Sequence, residues 1–156
     1  TYHFVSQTSR FSDDYKNDRL KIEMSSNRNF VRKWGLPIHG FNQVRYWEEN
    51  TFTYNTFTMG LKTRNKSLLY NVEPFFDKID LGLIPDDYIE NEQKNTRYDL
   101  RSKFTLTDGV DVMITETSPF TEEDISMLQL IRLSIPYYEP GEYKTGNMLI
   151  KINRQI

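Results

Sequence analysis

Val110-Asp111-Val112-Met113-Ile114-Thr115, followed by Thr121-Glu122-Glu123-Asp124, decides the fold class. The first stretch is an apolar, partly β-branched run of strand length. The second is a capping box, a threonine with a carboxylate three residues on, and it predicts a helix through about Leu133. Beyond it, Asn147–Asn153 places Met148, Ile150 and Ile152 on one parity and faces an arm over Tyr137–Tyr143 across a turn at Thr145-Gly146. Strand, helix and antiparallel hairpin in succession require a mixed sheet.

The chain upstream repeats this alternation. Pro85-Asp86-Asp87 predicts a helix start, with Ile89, Thr96, Leu100 and Phe104 as its stripe to about residue 103. Lys78–Ile84 reads as a strand. Ser67–Phe76 reads as a short helix carrying Leu68, Leu69 and Val72. Thr51–Met59 alternates like a strand with a bulge near Asn55, after a short helix or turn at Phe41–Glu49.

Ser12-Asp13-Asp14 offers a cap and two carboxylates to a helix over about 12–34. Leu20, Met24, Val31 and Trp34 form its apolar stripe, Asn27 fills the remaining position, and Ser25-Ser26-Asn27 is a candidate break. Gly35 and Pro37 end it. Thr1–Ser6 reads as a strand or its exit. The sum is an α/β or α+β layer with a mixed sheet, divided near residue 50 into segments 1–50 and 51–156, the second ending in the hairpin.

Composition narrows the function classes. The 156 residues hold 20 Lys and Arg against 22 Asp and Glu, a net charge of −2 without the basic surplus of a nucleic-acid binder. Residues 1–50 carry eight basic and six acidic side chains; residues 51–156 carry twelve and sixteen. With no cysteine there is no disulfide scaffold, thiol nucleophile or Cys-based zinc site. Nor is there alanine, so large side chains carry the apolar content, ten Phe and ten Tyr among them. No apolar run reaches the roughly 18 residues of a bilayer span, so no membrane partner is expected and a cytoplasmic location is. Thr1 in place of Met raises the expectation of a longer polypeptide.

Catalytic signatures are sparse. There is no P-loop, G-x-G-x-x-G or G-x-S-x-G. Only His3 and His39 are available, which excludes a His-rich metal site. His3 lies at an apparent strand end, where α/β folds place active-site groups, although a backbone carbonyl would satisfy it equally well. Asp13/Asp14 and Asp86/Asp87 are explained by helix N-termini and Asp108-Gly109 by a turn. Asp77/Asp80 and Asp108/Asp111 would support a metal-dependent hydrolase only if three or more carboxylates converged. Aromatic and basic side chains adjoin at Phe30–Trp34 and Arg45–Trp47, a composition that stacks on sugars or bases but more often builds core.

The order of Tyr2-His3-Phe4-Val5-Ser6 and Asn29-Phe30-Val31-Arg32-Lys33-Trp34-Gly35 resembles the end of the catalytic domain in family 2 glycosyltransferases of GT-A fold. The version here is most similar to enzymes of phages and marine microbes, and it covers about residues 1–40. The resemblance makes 1–50 the end of a GT-A-like catalytic domain, its last strand and helix, and 51–156 an accessory α/β domain. It implies transfer of a sugar from a nucleotide-sugar to a glycan acceptor, with a divalent metal, Mn²⁺ or Mg²⁺, in the complete enzyme. By the same resemblance His3 is the metal or diphosphate ligand, and Arg10 is a phosphate contact. Neutral imidazole is a competent ligand for Mn²⁺, and a guanidinium suits a phosphate. No D-x-D triplet occurs in the sequence, so the segment alone is expected to be inactive and to need no cofactor. The alternative is a non-catalytic binding or structural module, virion-associated in one version, whose aromatics form core and interface.

Overall fold

The computed structural model describes residues 13–34, 57–105 and 108–156. Helix α1 spans Asp13–Trp34. The sheet begins with β1 (Met59–Lys62). A 3₁₀ turn at Lys66–Leu68, the one-turn helix α2 (Leu69–Val72) and a 3₁₀ turn at Glu73–Phe75 lead to β2 (Lys78–Asp80). Helix α3 (Asp86–Gln93), a 3₁₀ turn at Arg101–Lys103 and β3 (Val112–Glu116) follow. The chain closes with α4 (Glu122–Ser134), β4 (Gly141–Thr145) and β5 (Met148–Ile152). Among the described residues no helix is long and apolar enough to cross a membrane.

The five strands form one mixed sheet in the order β2-β1-β3-β5-β4. The β1–β2 and β1–β3 pairs are parallel, and the β3–β5 and β4–β5 pairs antiparallel. The expected α/β fold with a mixed sheet is therefore present. Register aligns Leu61 with Ile79 and Ile114, and Ile114 with Ile150, so one face is a continuous apolar surface. Leu69, Val72 and Phe76 from the first crossover, and Leu128, Ile131 and Ile135 from the α4 segment, join it in the core. On alternate positions Lys62, Lys144 and Lys151 are exposed, as period-2 alternation demands.

Local chemistry accounts for the best-defined elements. Thr121 Oγ1 accepts the Asp124 backbone N–H at 3.2 Å, and Asp124 Oδ2 accepts that of Thr121 at 2.8 Å, completing the capping box. Asp124 also accepts the Asn147 side-chain amide at 2.8 Å, which ties the start of α4 to the hairpin loop. That loop is Gly146-Asn147, with Gly146 at φ +53. A Cβ on Gly146 would collide with Asp124 Oδ1, so glycine is required twice over.

Four expectations shift. The first arm of the hairpin is Gly141–Thr145, not Tyr137–Tyr143, because a 3₁₀ turn that includes Pro136 occupies Ile135–Tyr137. The helix from Asp86 ends at Gln93, well short of 103. Gln93 organises the following loop itself, donating to Tyr98 O at 2.6 Å and accepting from Leu100 N–H at 2.9 Å, and this loop delivers Leu100 and Phe104 to the core. The strand from Lys78 stops at Asp80, because Asp80 Oδ1 accepts the Gly82 N–H in a turn with Gly82 at φ +74. In α1, which is continuous through Ser25-Ser26-Asn27, only part of the stripe is covered. Val31 is buried, whereas Leu20 and Met24 are 55% and 50% exposed. Thr1–Ser6, Gly35–Glu49, the first residues of the Thr51–Met59 strand and the division near residue 50 lie outside the described residues.

Candidate functional site

The last turns of α1 meet α3 and the Glu73–Phe75 turn in a cluster of charges. Arg28 and Arg32 lie one turn apart on α1, and Tyr88 and Glu92 one turn apart on α3, so each pair shares a helix face. Arg32 Nη2 sits 2.6 Å from Glu73 Oε2 and 3.0 Å from Glu92 Oε1. Arg28 grips Glu92 with two parallel bonds, Nε to Oε1 at 2.7 Å and Nη2 to Oε2 at 2.8 Å. Lys103 Nζ approaches Glu73 Oε1 at 2.9 Å, and the Tyr88 hydroxyl donates to Glu73 Oε2 at 3.1 Å. The Glu73, Glu92 and Arg32 side chains are all but fully buried.

Glu73, Arg32 and Tyr88 are each held in one protonation state. Burial alone would raise the Glu73 carboxyl, but Lys103 and Arg32 hold it below the usual carboxylate range. Burial opposes charge on Arg32, and the adjoining Glu73 reverses the effect and raises it. Burial, then the charge on Glu73, pushes the Tyr88 phenol far up, so it stays a neutral donor. Groups locked in one state near neutrality are poor acid–base catalysts. The cluster is a clasp holding α1 to the sheet domain.

Beside the clasp, α1 and α3 enclose a groove of about 750 Å³. Lys21, Ser25 and Arg28 line it from α1, Asn91 and Lys94 from the α3 side, and Tyr70 contributes a wall. A second cavity of about 450 Å³ lies between α4 and the hairpin, bordered by Met127, Ile131, Tyr138 and Tyr143.

The carboxylate pairs do not converge. Asp77 accepts Met59 N–H at 2.8 Å and pairs with Arg132 at 2.6 Å. Asp111 accepts Thr58 N–H at 2.8 Å and pairs with Arg154 at 2.6 Å, so these two aspartates brace the entry to β1 from both sides. Asp80 caps its own turn, Asp86 pairs with Arg101 and Asp87 with Lys66. Asp13 and Asp14 open α1, and Asp108 is exposed in a turn. Among the described residues no group of three or more His, Asp or Glu side chains is placed to hold a metal ion. His3, Arg10, His39 and Arg45–Trp47 lie outside the described residues.

No protein-family model, curated protein or solved structure matches the chain. The residues that build the clasp and the groove are therefore known from geometry alone. Sequence reasoning missed Arg28, Glu73, Tyr88, Glu92 and Lys103, and held Arg32 only as part of the Asn29–Gly35 motif. The available signal was the i,i+4 spacing of Arg28 with Arg32 and of Tyr88 with Glu92, one helix supplying cations and the other their acceptors.

Proposed function

We propose that the chain is the C-terminal portion of a family 2 glycosyltransferase of GT-A type, in which the sheet domain is a non-catalytic accessory unit. The observation that carries this is the ordered pair of motifs at Tyr2–Ser6 and Asn29–Gly35. It gains support from the position of the second motif, whose first six residues form the last turns of α1. Those turns also supply Arg32 to the clasp, with Arg28 just ahead of the motif. A helix that closes a catalytic domain and is clasped by the next unit makes a stiff joint.

In this proposal the complete enzyme moves a sugar from a nucleotide-sugar to a glycan acceptor. A divalent metal would offset charge on the departing diphosphate. The described residues do not provide its ligands, so they would come from elsewhere, His3 among them, with Arg10 contacting a phosphate. The rival, a binding module with no catalytic partner, is favoured by one feature: Asp77, Asp86, Asp87, Asp111, Glu73 and Glu92 all close on internal cations. Coding sequence upstream of Thr1 separates the two. A strand ending in D-x-D is expected there; a start codon directly ahead of Thr1, with no such triplet, overturns the proposal.

A further inference from the structure

We propose that the groove between α1 and α3 binds an anionic saccharide, a sugar phosphate or a uronic acid residue. Arg28 is the centre of the site. Its Nε and Nη2 are fixed by Glu92, and its guanidinium carbon lies 5.2 Å from the centre of the Tyr70 ring. Among the described residues Nη1 has no hydrogen-bond partner, and the guanidinium is held too firmly to swing away. A cation fixed in advance loses little freedom when it takes up an anion. Its remaining N–H groups suit a phosphate or carboxylate oxygen.

Two further cations flank it. Lys21 is seven residues before Arg28, two turns along the same side of α1, and Lys94 caps the end of α3. Both are exposed, and neither side chain makes a hydrogen bond or ion pair among the described residues. Glu92 is the one carboxylate lining the groove, and it is shared with Arg32; Glu23 on α1 pairs with Arg19. The lining thus carries a net positive charge on a protein whose net charge is −2.

The other lining groups favour a sugar over a bare ion. Asn91 and Ser25 can each donate and accept, matching hydroxyls that do the same. Tyr70 is 39% exposed and offers apolar surface for the C–H face of a pyranose. The groove also lies within the size range of small-ligand sites. None of this depends on the glycosyltransferase proposal, which the upstream sequence decides separately.

The test titrates the whole chain with glucose 1-phosphate and with digalacturonic acid, following backbone and Arg28 side-chain N–H resonances. Methyl glucoside and inorganic phosphate serve as controls. Saturable shifts at residues 91–95 and at Arg28 are expected with one of the two anionic sugars, and which one responds identifies the source of the charge. The K21A/K94A double variant should weaken that binding about tenfold or more with its melting midpoint unchanged, because both side chains are exposed and unbonded. The proposal is overturned if neither anionic sugar perturbs these resonances into the millimolar range. It is equally overturned if either control binds as tightly, or if the double variant binds like the original chain.

Discussion

The two ends of the sheet domain are fastened in opposite ways. At the hairpin end, Asp124 collects the Thr121 and Asn147 donors in a neutral-partnered knot at the start of α4. At the other end, Arg28, Arg32 and Lys103 close on Glu73 and Glu92 in a buried clasp whose partners come from four separate segments. The knot degrades in steps, since each bond to Asp124 contributes separately. The clasp is all-or-none, because a buried charge deprived of its partner is far worse than no charge at all.

The sharpest break of that contrast is Glu73→Ala, which leaves Arg32 and Lys103 facing a buried gap. We expect a loss of about 3–5 kcal/mol by denaturant unfolding, with faster hydrogen exchange in the last turns of α1. The double variant E73L/R32M should recover part of this, since it removes the buried pair but leaves Lys103 without its carboxylate. No recovery would mean that packing around Val31, not charge, holds the helix.

Asp124→Ala should cost less, about 2 kcal/mol, the sum of a lost helix cap and the bonds to Asn147. Exchange at the α4 N-terminus and in the hairpin should rise, while α1 stays protected. Acid acts on both ends at once. Glu73 is held low by Lys103 and Arg32, and Asp124 by the Thr121 N–H and then Asn147. A carboxyl depressed in the folded state adds stability above its unfolded value and loses it as pH falls through the folded one. The denaturation midpoint should therefore be flat from about pH 5 to about pH 8 and decline below about pH 4. A decline already at pH 6 would implicate histidine instead. The smallest effect belongs to α1: Leu20→Gln and Met24→Gln should each change stability by less than about 0.5 kcal/mol, as their exposure requires.

The contrast also explains what was legible in the sequence. The capping box and the Gly146 turn involve residues within a few positions of one another, and both read directly from residue type and spacing. The clasp joins Arg32 to Glu73 across 41 residues and Arg28 to Glu92 across 64, and no local pattern states which carboxylate a given arginine will meet. The α1 stripe misled for a related reason. Periodicity marks the side of a helix able to pack, but whether Leu20 and Met24 are covered depends on where the neighbouring mass ends. Leu100 and Phe104 were rightly core candidates on a wrongly extended helix, because the Gln93 side chain rebuilds the path between them.

Among the described residues, α1 is tied to the sheet domain through Arg28, Asn29, Val31 and Arg32, all in its last turns, and that makes the clasp a fulcrum. Asp13 lies about 22 Å along the axis from Arg28, and Lys21 about 10 Å. A tilt of about 5° about the clasp would carry the Asp13 end through about 2 Å and the Lys21 wall of the groove through about 1 Å. A displacement at the start of the helix is thereby halved where the groove is lined, and it arrives there as a change in width.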